Sequence, residues 1–251
     1  MNGIRRKGIS KTLCTKIFLP YLLLIPMLQA ASTEVTLQVV RFPERKDVEL
    51  PLLPTRRIPR ASMSAKVKFE EGQSRIELSY DEMKPAVLFA GDVTCYVLWA
   101  VNRDGGVENL GELWVRPGRD KDSLKFSTGL RTFARMVTAE PYYQVGQPSE
   151  LMISWNDVSR DLQAPSQALS FSSLAAAPAH GLESLEAVIY EGKVSLDLLQ
   201  AQKVHEIAGR LGAEEHASAI YREATLTLQQ ATFMTSGGGA KKGAQESPDA
   251  R

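Results

Sequence analysis

The strongest pattern in the sequence is a pair of apolar segments on either side of residues 102–106, within 93–115 (VTCYVLWAVNRDGGVENLGELWV). Apolar residues occupy both sides of the first segment, which predicts a strand buried on both faces. An Asp-Gly pair between β-rich segments is a strong signal for a hairpin. Gly111 interrupts the second segment and predicts a β-bulge or a close backbone approach. The sequence therefore predicts a central β-hairpin.

Shorter alternating segments predict further strands before and after this hairpin. They cover residues 33–42, 66–70, 75–80, 123–127, 131–140 and 150–155, and Gly or Pro separates most of them. The second and third of these segments are expected to pair across a turn at 71–73. Seven or eight short strands at this spacing predict a mainly β fold, an immunoglobulin-like β-sandwich over residues 32–156. A closed barrel is the alternative, and the sequence lacks the Cys–Trp–Cys core of true immunoglobulin domains.

Residues 44–60 depart from this pattern because Pro51, Pro54 and Pro59 stand among charged side chains. Proline removes a backbone donor and charged groups resist burial, so we predict a long exposed loop here. The basic residues of this segment offer a second interpretation, a patch for anionic lipid or an envelope polymer. Three acidic residues in the same segment dilute the positive charge and favour a solvated loop.

The last third of the chain changes from strand to helix periodicity. Residues 157–184 are rich in Ser, Ala and Pro and predict a linker. Residues 185–235 predict an antiparallel helical hairpin, in which Ser195 caps the first helix and Gly212 ends it. The second helix is expected from about 216 to 234. Residues 236–251 are polar and glycine-rich, and we predict a disordered tail.

The apolar stripes of these two helices form the predicted partner-binding surface. Two helices alone bury little apolar area, so the hairpin needs the β-domain, another copy or another protein to pack against. We expect the partner to be another envelope protein or a second copy of the chain. The predicted partner-binding residues are Leu199, Ile207, Leu211, Ile220 and Leu228.

The N-terminus has the layout of a secretory signal peptide, predicted over residues 1–31. Its first thirty residues contain five basic and no acidic residues, with an apolar run of twelve residues before Ala30 and Ala31. A spanning helix needs about twenty apolar residues, so we expect cleavage rather than an uncleaved anchor. The protein is then expected in the periplasm or cell envelope. Membrane contact is expected only through the signal peptide, if it stays uncleaved.

The charge balance makes nucleic acid an improbable partner. The whole chain has a formal net charge of +1, but removing the basic N-terminus leaves 25 basic and 29 acidic residues. A mature chain with a net charge of −4 lacks the electrostatic footprint of a protein that binds nucleic acid.

The sequence shows no catalytic constellation, and we predict neither an enzyme nor a cofactor. Ser154 and Ser195 have no G-x-S-x-G context, and a hydrolase is not supported. His205 and His216 can approach one another across the helical hairpin, but they lack the ligand spacing of recognisable metal sites. Cys95 lies on an apolar strand and is expected to be an inert core residue.

Exposed aromatic side chains offer the alternative function, binding of a glycan or cell-wall polymer. The predicted ligand-binding residues are Trp114, Tyr142 and Tyr143, whereas Trp99 and Trp155 are expected in the core. Trp114 faces the same way as Glu112 and is therefore the tryptophan expected at the surface.

Two segments carry a resemblance to a known group of proteins. Residues 96–113 (YVLWAVNRDGGVENLGEL) and 136–151 (MVTAEPYYQVGQPSEL) resemble the N-terminal β-domain of bacterial OmpA-like, outer-membrane-associated envelope proteins. Residues 195–231 are similar to the helical segment that follows that domain. A fainter likeness joins the β-domain to the extracytoplasmic sandwich of anti-sigma regulators. The peptidoglycan-binding domain of the OmpA-like group has no counterpart here, so cell-wall anchoring is not implied, and a stand-alone or a truncated form both fit.

The pattern and the resemblance lead to one expectation for function. We expect an exported, non-catalytic protein of the cell envelope that acts as a structural or protein-interaction module.

Overall fold

The computed structural model describes residues 34–116, 119, 121–156, 164–172, 186 and 188–235. The predicted signal peptide and the predicted tail lie outside these residues. The described part of the chain contains ten strands, a one-turn 3-10 helix at Ala86–Leu88 and three helices. The strands are β1 (Glu34–Arg41), β2 (Asp47–Pro54), β3 (Ser62–Glu70), β4 (Gln73–Asp81), β5 (Cys95–Val101), β6 (Val107–Glu112), β7 (Asp122–Thr128), β8 (Thr132–Glu140), β9 (Met152–Asn156) and β10 (Ser166–Ser172). The helices are α1 (Leu196–Arg210), α2 (Ala213–His216) and α3 (Ser218–Phe233).

The strands pair antiparallel and bury apolar side chains between layers, as predicted for a mainly β sandwich. Pairing runs β10-β1-β8-β9-β2-β3-β4-β7. Strand β8 pairs with β1 near its start and with β9 further along, and it also pairs with β5. Strand β6 pairs with β5. The main core combines inward side chains of β3 and β4, such as Val67 and Leu78, with Leu98 of β5 and Val137 of β8. Burial of these alternating residues supplies the main driving force for this arrangement.

Strand β5 is buried on both faces, which confirms the prediction of a central strand. Tyr96, Leu98 and Ala100 belong to the main core. Val97 and Trp99 point the opposite way into a second core. Residues of β1, β8, β9 and β10, together with Val145, complete this second core, so no face of β5 is left to solvent.

The central hairpin has the predicted turn and bulge. The Asn102 side-chain oxygen accepts hydrogen bonds from the backbone N–H groups of Asp104 and Gly106, at 2.9 and 2.8 Å. The register of β5 against β6 shifts between Leu98 and Trp99, opposite Gly111. Gly111 has a φ of 119°, a conformation that favours glycine, so the bulge confirms the prediction made for this position.

The prediction of a long exposed loop over 44–60 is wrong, because β2 lies within it. Leu50 and Leu52 are buried and alternate with exposed residues. Proline is tolerated because β2 pairs with β9 only from Leu52 onward, so Pro51 has a neighbouring strand on one side only. Residues after β2 keep the predicted exposed character.

The prediction of a linker over 157–184 is wrong for β10. Ser166–Ser172 pairs with β1 along its whole length, and Phe171 is buried in the second core. Polar residues are acceptable in this strand because it pairs with one neighbour and its backbone makes most of the contact. Most of the remaining predicted linker lies outside the described residues.

The helical hairpin begins and turns where the sequence predicts. The Ser195 hydroxyl accepts a hydrogen bond from the Leu198 N–H at 3.2 Å, and Gly212 adopts a φ of 82° after α1. The second helix is interrupted, because the four-residue α2 precedes α3. In the part of the chain that the structure describes, no helix is long and apolar enough to cross a membrane.

The Ser195 cap gives a first testable prediction. Ser195→Ala should destabilise the hairpin by about 1 kcal/mol, because the Leu198 N–H then loses its partner. Ser195→Asp keeps a capping oxygen and should preserve stability. Helix content followed by far-UV circular dichroism during urea unfolding measures both variants. Equal stability of the alanine variant and wild type would contradict the cap.

Candidate functional site

Helix α1 fixes the helical hairpin to the sandwich through polar contacts. Arg210 Nη2 lies 2.9 Å from Oδ1 of the buried Asp92. The side-chain amide of Gln200 donates to the Thr94 carbonyl at 2.9 Å. Ile207 lies three residues before Arg210, on the same side of the helix, and is buried. These contacts hold one side of α1 against the β-domain.

The contact between α1 and α3 is also partly polar. The His205 ring stacks on Tyr221 with centroids 4.4 Å apart, and its Nε2 lies 2.7 Å from the Thr225 hydroxyl. That hydroxyl donates to the Tyr221 carbonyl at 2.8 Å, so it accepts from His205. A Cβ at Gly209 would lie 2.6 Å from the Tyr221 hydroxyl, which shows how closely the helices approach. His205 therefore helps to position α3 against α1.

The histidines do not assemble a metal centre within the described residues. No group of three or more His, Cys, Asp or Glu side chains that could hold a metal ion occurs among them. His205 is engaged by Tyr221 and Thr225, and His216 lies on α2 near Gly212.

A largely apolar groove of about 990 Å³ lies between α1 and α3. Small and aliphatic side chains of both helices line most of it. They are Ala201, Val204 and Ala208 from α1, and Ile220, Ala224, Leu228 and Ala231 from α3, with Ala217 just before it.

The spacing along the groove is that of a helix-packing seam. Ala217, Ala224 and Ala231 are seven residues apart, which places them on one side of α3. Alanine at such positions lets a third helix approach closely, and Ile220 offers a larger side chain beside them. Ile220 is 73% exposed, so this seam lacks an apolar covering in the described structure.

The charged residues along the groove are acidic. Among its described lining residues, Asp197 and Glu223 carry the formal charges. A partner that places basic side chains beside an apolar face would complement both properties of the groove.

Trp114 stands at the edge of this groove. Its side chain is 47% exposed, which agrees with the prediction that it lies at the surface. The Tyr80 hydroxyl donates to the Trp114 carbonyl at 3.3 Å, and the Arg116 guanidinium lies 5.4 Å from the Trp114 ring centroid. Tyr80 therefore holds the backbone at Trp114, and Arg116 lies over the ring beside the groove.

The other predicted site residues do not form one site, because some line the groove, some are buried and some lie elsewhere on the surface. Ile220 and Leu228 line the groove, whereas Leu199 and Leu211 do not. Ile207 is buried and unavailable to a partner. Tyr142 packs against the second core, and Tyr143 is 49% exposed. Neither tyrosine lines the groove that contains Trp114.

A buried polar network, which the sequence pattern did not single out, lies in the β-domain. Trp99 Nε1 donates to the Thr138 hydroxyl at 2.7 Å, and that hydroxyl donates to Glu140 Oε1. The Ser149 N–H also donates to Glu140 Oε1, at 2.8 Å. Burial raises the pKa of the Glu140 carboxyl to about 7, although these hydrogen bonds oppose the shift. Its second oxygen has no hydrogen-bond partner among the described residues.

Comparison with protein-family models, with curated proteins and with solved structures finds no match to this chain.

Proposed function

We propose that this protein is an exported, non-catalytic interaction module of the cell envelope, and that its groove binds an amphipathic helix of a partner protein. The observation that carries this proposal is the apolar, alanine-lined groove between α1 and α3. A third helix would convert the hairpin into a three-helix bundle and cover the apolar groove.

The acidic residues of the groove favour a partner helix with basic flanks. Asp197 and Glu223 would repel the same residues of a second copy, because like charges across an interface are unfavourable. Lysine or arginine beside the apolar face of the partner would instead pair with them. The proposal therefore favours a different protein over self-association.

Export is supported by the sequence of residues 1–31. Its basic start, short apolar run and small residues at the expected cleavage site are typical of secreted proteins. Cell fractionation, with N-terminal sequencing of the mature protein, tests this part of the proposal. A cytoplasmic protein that retains its N-terminus would contradict it.

Ile220→Asp should weaken helix binding at least about tenfold, because a carboxylate would be buried against an apolar face. The matched control is Leu226→Asp: Leu226 is 61% exposed on the same helix and does not line the groove. Both positions are exposed, so both variants should fold. Calorimetric titration with an 18-residue peptide of leucine stripe and lysine flanks measures the binding.

The same peptide with glutamate flanks tests the contribution of charge and should bind at least tenfold more weakly. Equal binding of both peptides, or equal losses in both variants, would overturn the proposed groove. Sedimentation of the protein alone provides a separate check. If the protein alone sediments as a dimer, and Ile220→Asp dissociates it whereas Leu226→Asp does not, the groove binds a second copy of the chain and not a partner helix.

A further inference from the structure

A second cavity, of about 540 Å³, opens at one end of the sandwich. It is separate from the helical groove and shares no lining residue with it. Three distant parts of the chain form most of its wall. They are residues 57–61 after β2, Glu82 and Lys84 after β4, and residues 88–90 at the end of the 3-10 helix, with Tyr96 and Leu151 beneath them.

Part of the inner wall of this cavity is apolar and packs tightly against the main core. Ala61, Ala90 and Leu151 are buried in the main core. The Phe89 ring meets the Tyr96 ring edge-on, with centroids 6.3 Å apart. The Tyr96 hydroxyl already donates to the Lys84 carbonyl at 3.1 Å, so its proton is not available to a ligand. Polar and apolar surface contribute about equally to the lining of this cavity, so its apolar part suits a hydrocarbon chain and its polar part suits a polar head group.

The rim of the cavity is basic. Arg57, Arg60 and Lys84 surround the opening together with one acid, Glu82. Arg60 Nε lies 3.8 Å from Glu82 Oε2, so these two charges offset each other. Neither Arg57 nor Lys84 forms an ion pair within the described part of the chain. Two cations thus remain available at the mouth of a partly apolar cavity.

The rim is held in shape before any ligand binds. The Ile58 N–H donates to the Thr55 carbonyl at 3.1 Å, and the Ala61 N–H donates to the Ile58 carbonyl at 3.0 Å. The Arg57 N–H donates to the Thr55 hydroxyl at 3.2 Å. These hydrogen bonds fix the segment that carries Arg57 as two successive turns, which lowers the ordering cost of binding.

Glu82 adds a second indication that this rim is specialised. It has a φ of 55°, a left-handed conformation that is costly for a residue with a side chain. Asp81 Oδ1 accepts its N–H at 3.0 Å and helps to hold the strained backbone. Strained residues of this kind concentrate at ligand sites.

We propose that this cavity binds a single-chain amphiphilic anion, with its acidic group between Arg57 and Lys84 and its hydrocarbon chain along Leu88 and Phe89. The volume lies within the range of small-molecule sites, and cations at the mouth of a partly apolar cavity match both ends of such a ligand. This site is independent of the helical groove and does not require the proposed partner.

Calorimetric titration of the mature protein with dodecanoate, below the concentration at which it forms micelles, tests the site. We expect saturable binding of one molecule per chain. The Arg57→Gln, Lys84→Gln double variant should weaken it about tenfold, since both charge-assisted contacts are lost. Arg103→Gln is the control, because Arg103 is an exposed cation in the turn between β5 and β6. It should bind dodecanoate like wild type.

Further titrations separate the contribution of the hydrocarbon chain from that of the charge, and vesicles test the source of the ligand. Dodecanol has the same chain without the charge and should bind at least tenfold more weakly, whereas acetate should not bind. Vesicles of phosphatidylglycerol test the membrane as the source: binding to vesicles, without saturable binding of free dodecanoate, would overturn the cavity as a site for a free amphiphile. Equal losses in Arg103→Gln and the double variant would overturn it as well, because the attraction would then be unspecific.

Discussion

Glu140→Gln should remove most of the pH dependence of folding stability between pH 5 and 8. Burial raises the pKa of the native carboxyl to about 7 from an ordinary value of 4.5. The native state therefore binds the proton more tightly than the unfolded state does. Wild-type stability should fall as the pH rises above about 4.5 and level off above about 7. This difference in pKa corresponds to a loss of about 3 kcal/mol.

The glutamine variant stays neutral and should be more stable than wild type at pH 8, by up to this amount. In this variant the amide NH2 group takes the place of Glu140 Oε2, which has no hydrogen-bond partner among the described residues. The buried N–H groups would then also lack partners, so the gain in stability should fall below the full value. Urea unfolding at pH 5 and pH 8 measures the effect. Glu150→Gln, at an exposed position, is the control and should keep the wild-type pH profile. Parallel profiles for wild type and Glu140→Gln would show that Glu140 is not the titrating group.

Trp99→Ala should destabilise the protein by about 3–5 kcal/mol. Trp99 is fully buried in the second core, so truncation leaves a large cavity and removes the hydrogen bond to Thr138. Trp99→Phe keeps most of the volume and should cost about 1–3 kcal/mol, mainly through the lost hydrogen bond and the imperfect fit. The phenylalanine variant keeps the prediction measurable if the alanine variant does not fold.

Trp114→Ala is the matched control for these variants. Its ring is 47% exposed and belongs to neither core, so we expect a change within about 0.5 kcal/mol. Urea unfolding at pH 8 reports the stability of all three variants and avoids the titration of Glu140, because the carboxyl is ionised in both the native and the unfolded state there. A loss at Trp114 as large as that of Trp99→Ala would contradict the assignment of the core.

The strands that were predicted correctly have alternating patterns that local sequence alone can show. The central hairpin followed from two apolar segments and an Asp-Gly turn, and its bulge followed from Gly111. Strand β2 was missed because prolines outweighed the alternation of Leu50 and Leu52, and because the extent of its pairing with β9 depends on distant residues. Strand β10 was missed because most of its side chains are small or polar, whereas backbone pairing with β1 holds it in the sheet.

The candidate sites were harder to predict because they depend on which surfaces meet. Periodicity identified an apolar stripe on α1, but it did not show that Ile207 would face the sandwich. That orientation depends on Arg210 and Asp92, which are more than one hundred residues apart in the chain. The amphiphile cavity likewise joins three distant segments, so no local motif marks it. The network around Glu140 also needs Trp99 of β5, whose Nε1 donates to Thr138 across 39 residues of sequence.

The attachment of the hairpin through one helix has a mechanical consequence. No residue of α3 is buried, and neither hydrophobic core of the sandwich includes a residue of α1, α2 or α3. The β-domain can therefore keep its interior intact while the two helices move away as a unit, at the expense of the Arg210–Asp92 and Gln200–Thr94 contacts and of the burial of Leu198 and Ile207. A partner protein that pulls on the helices would therefore break these contacts of α1 before it disturbs the β-domain.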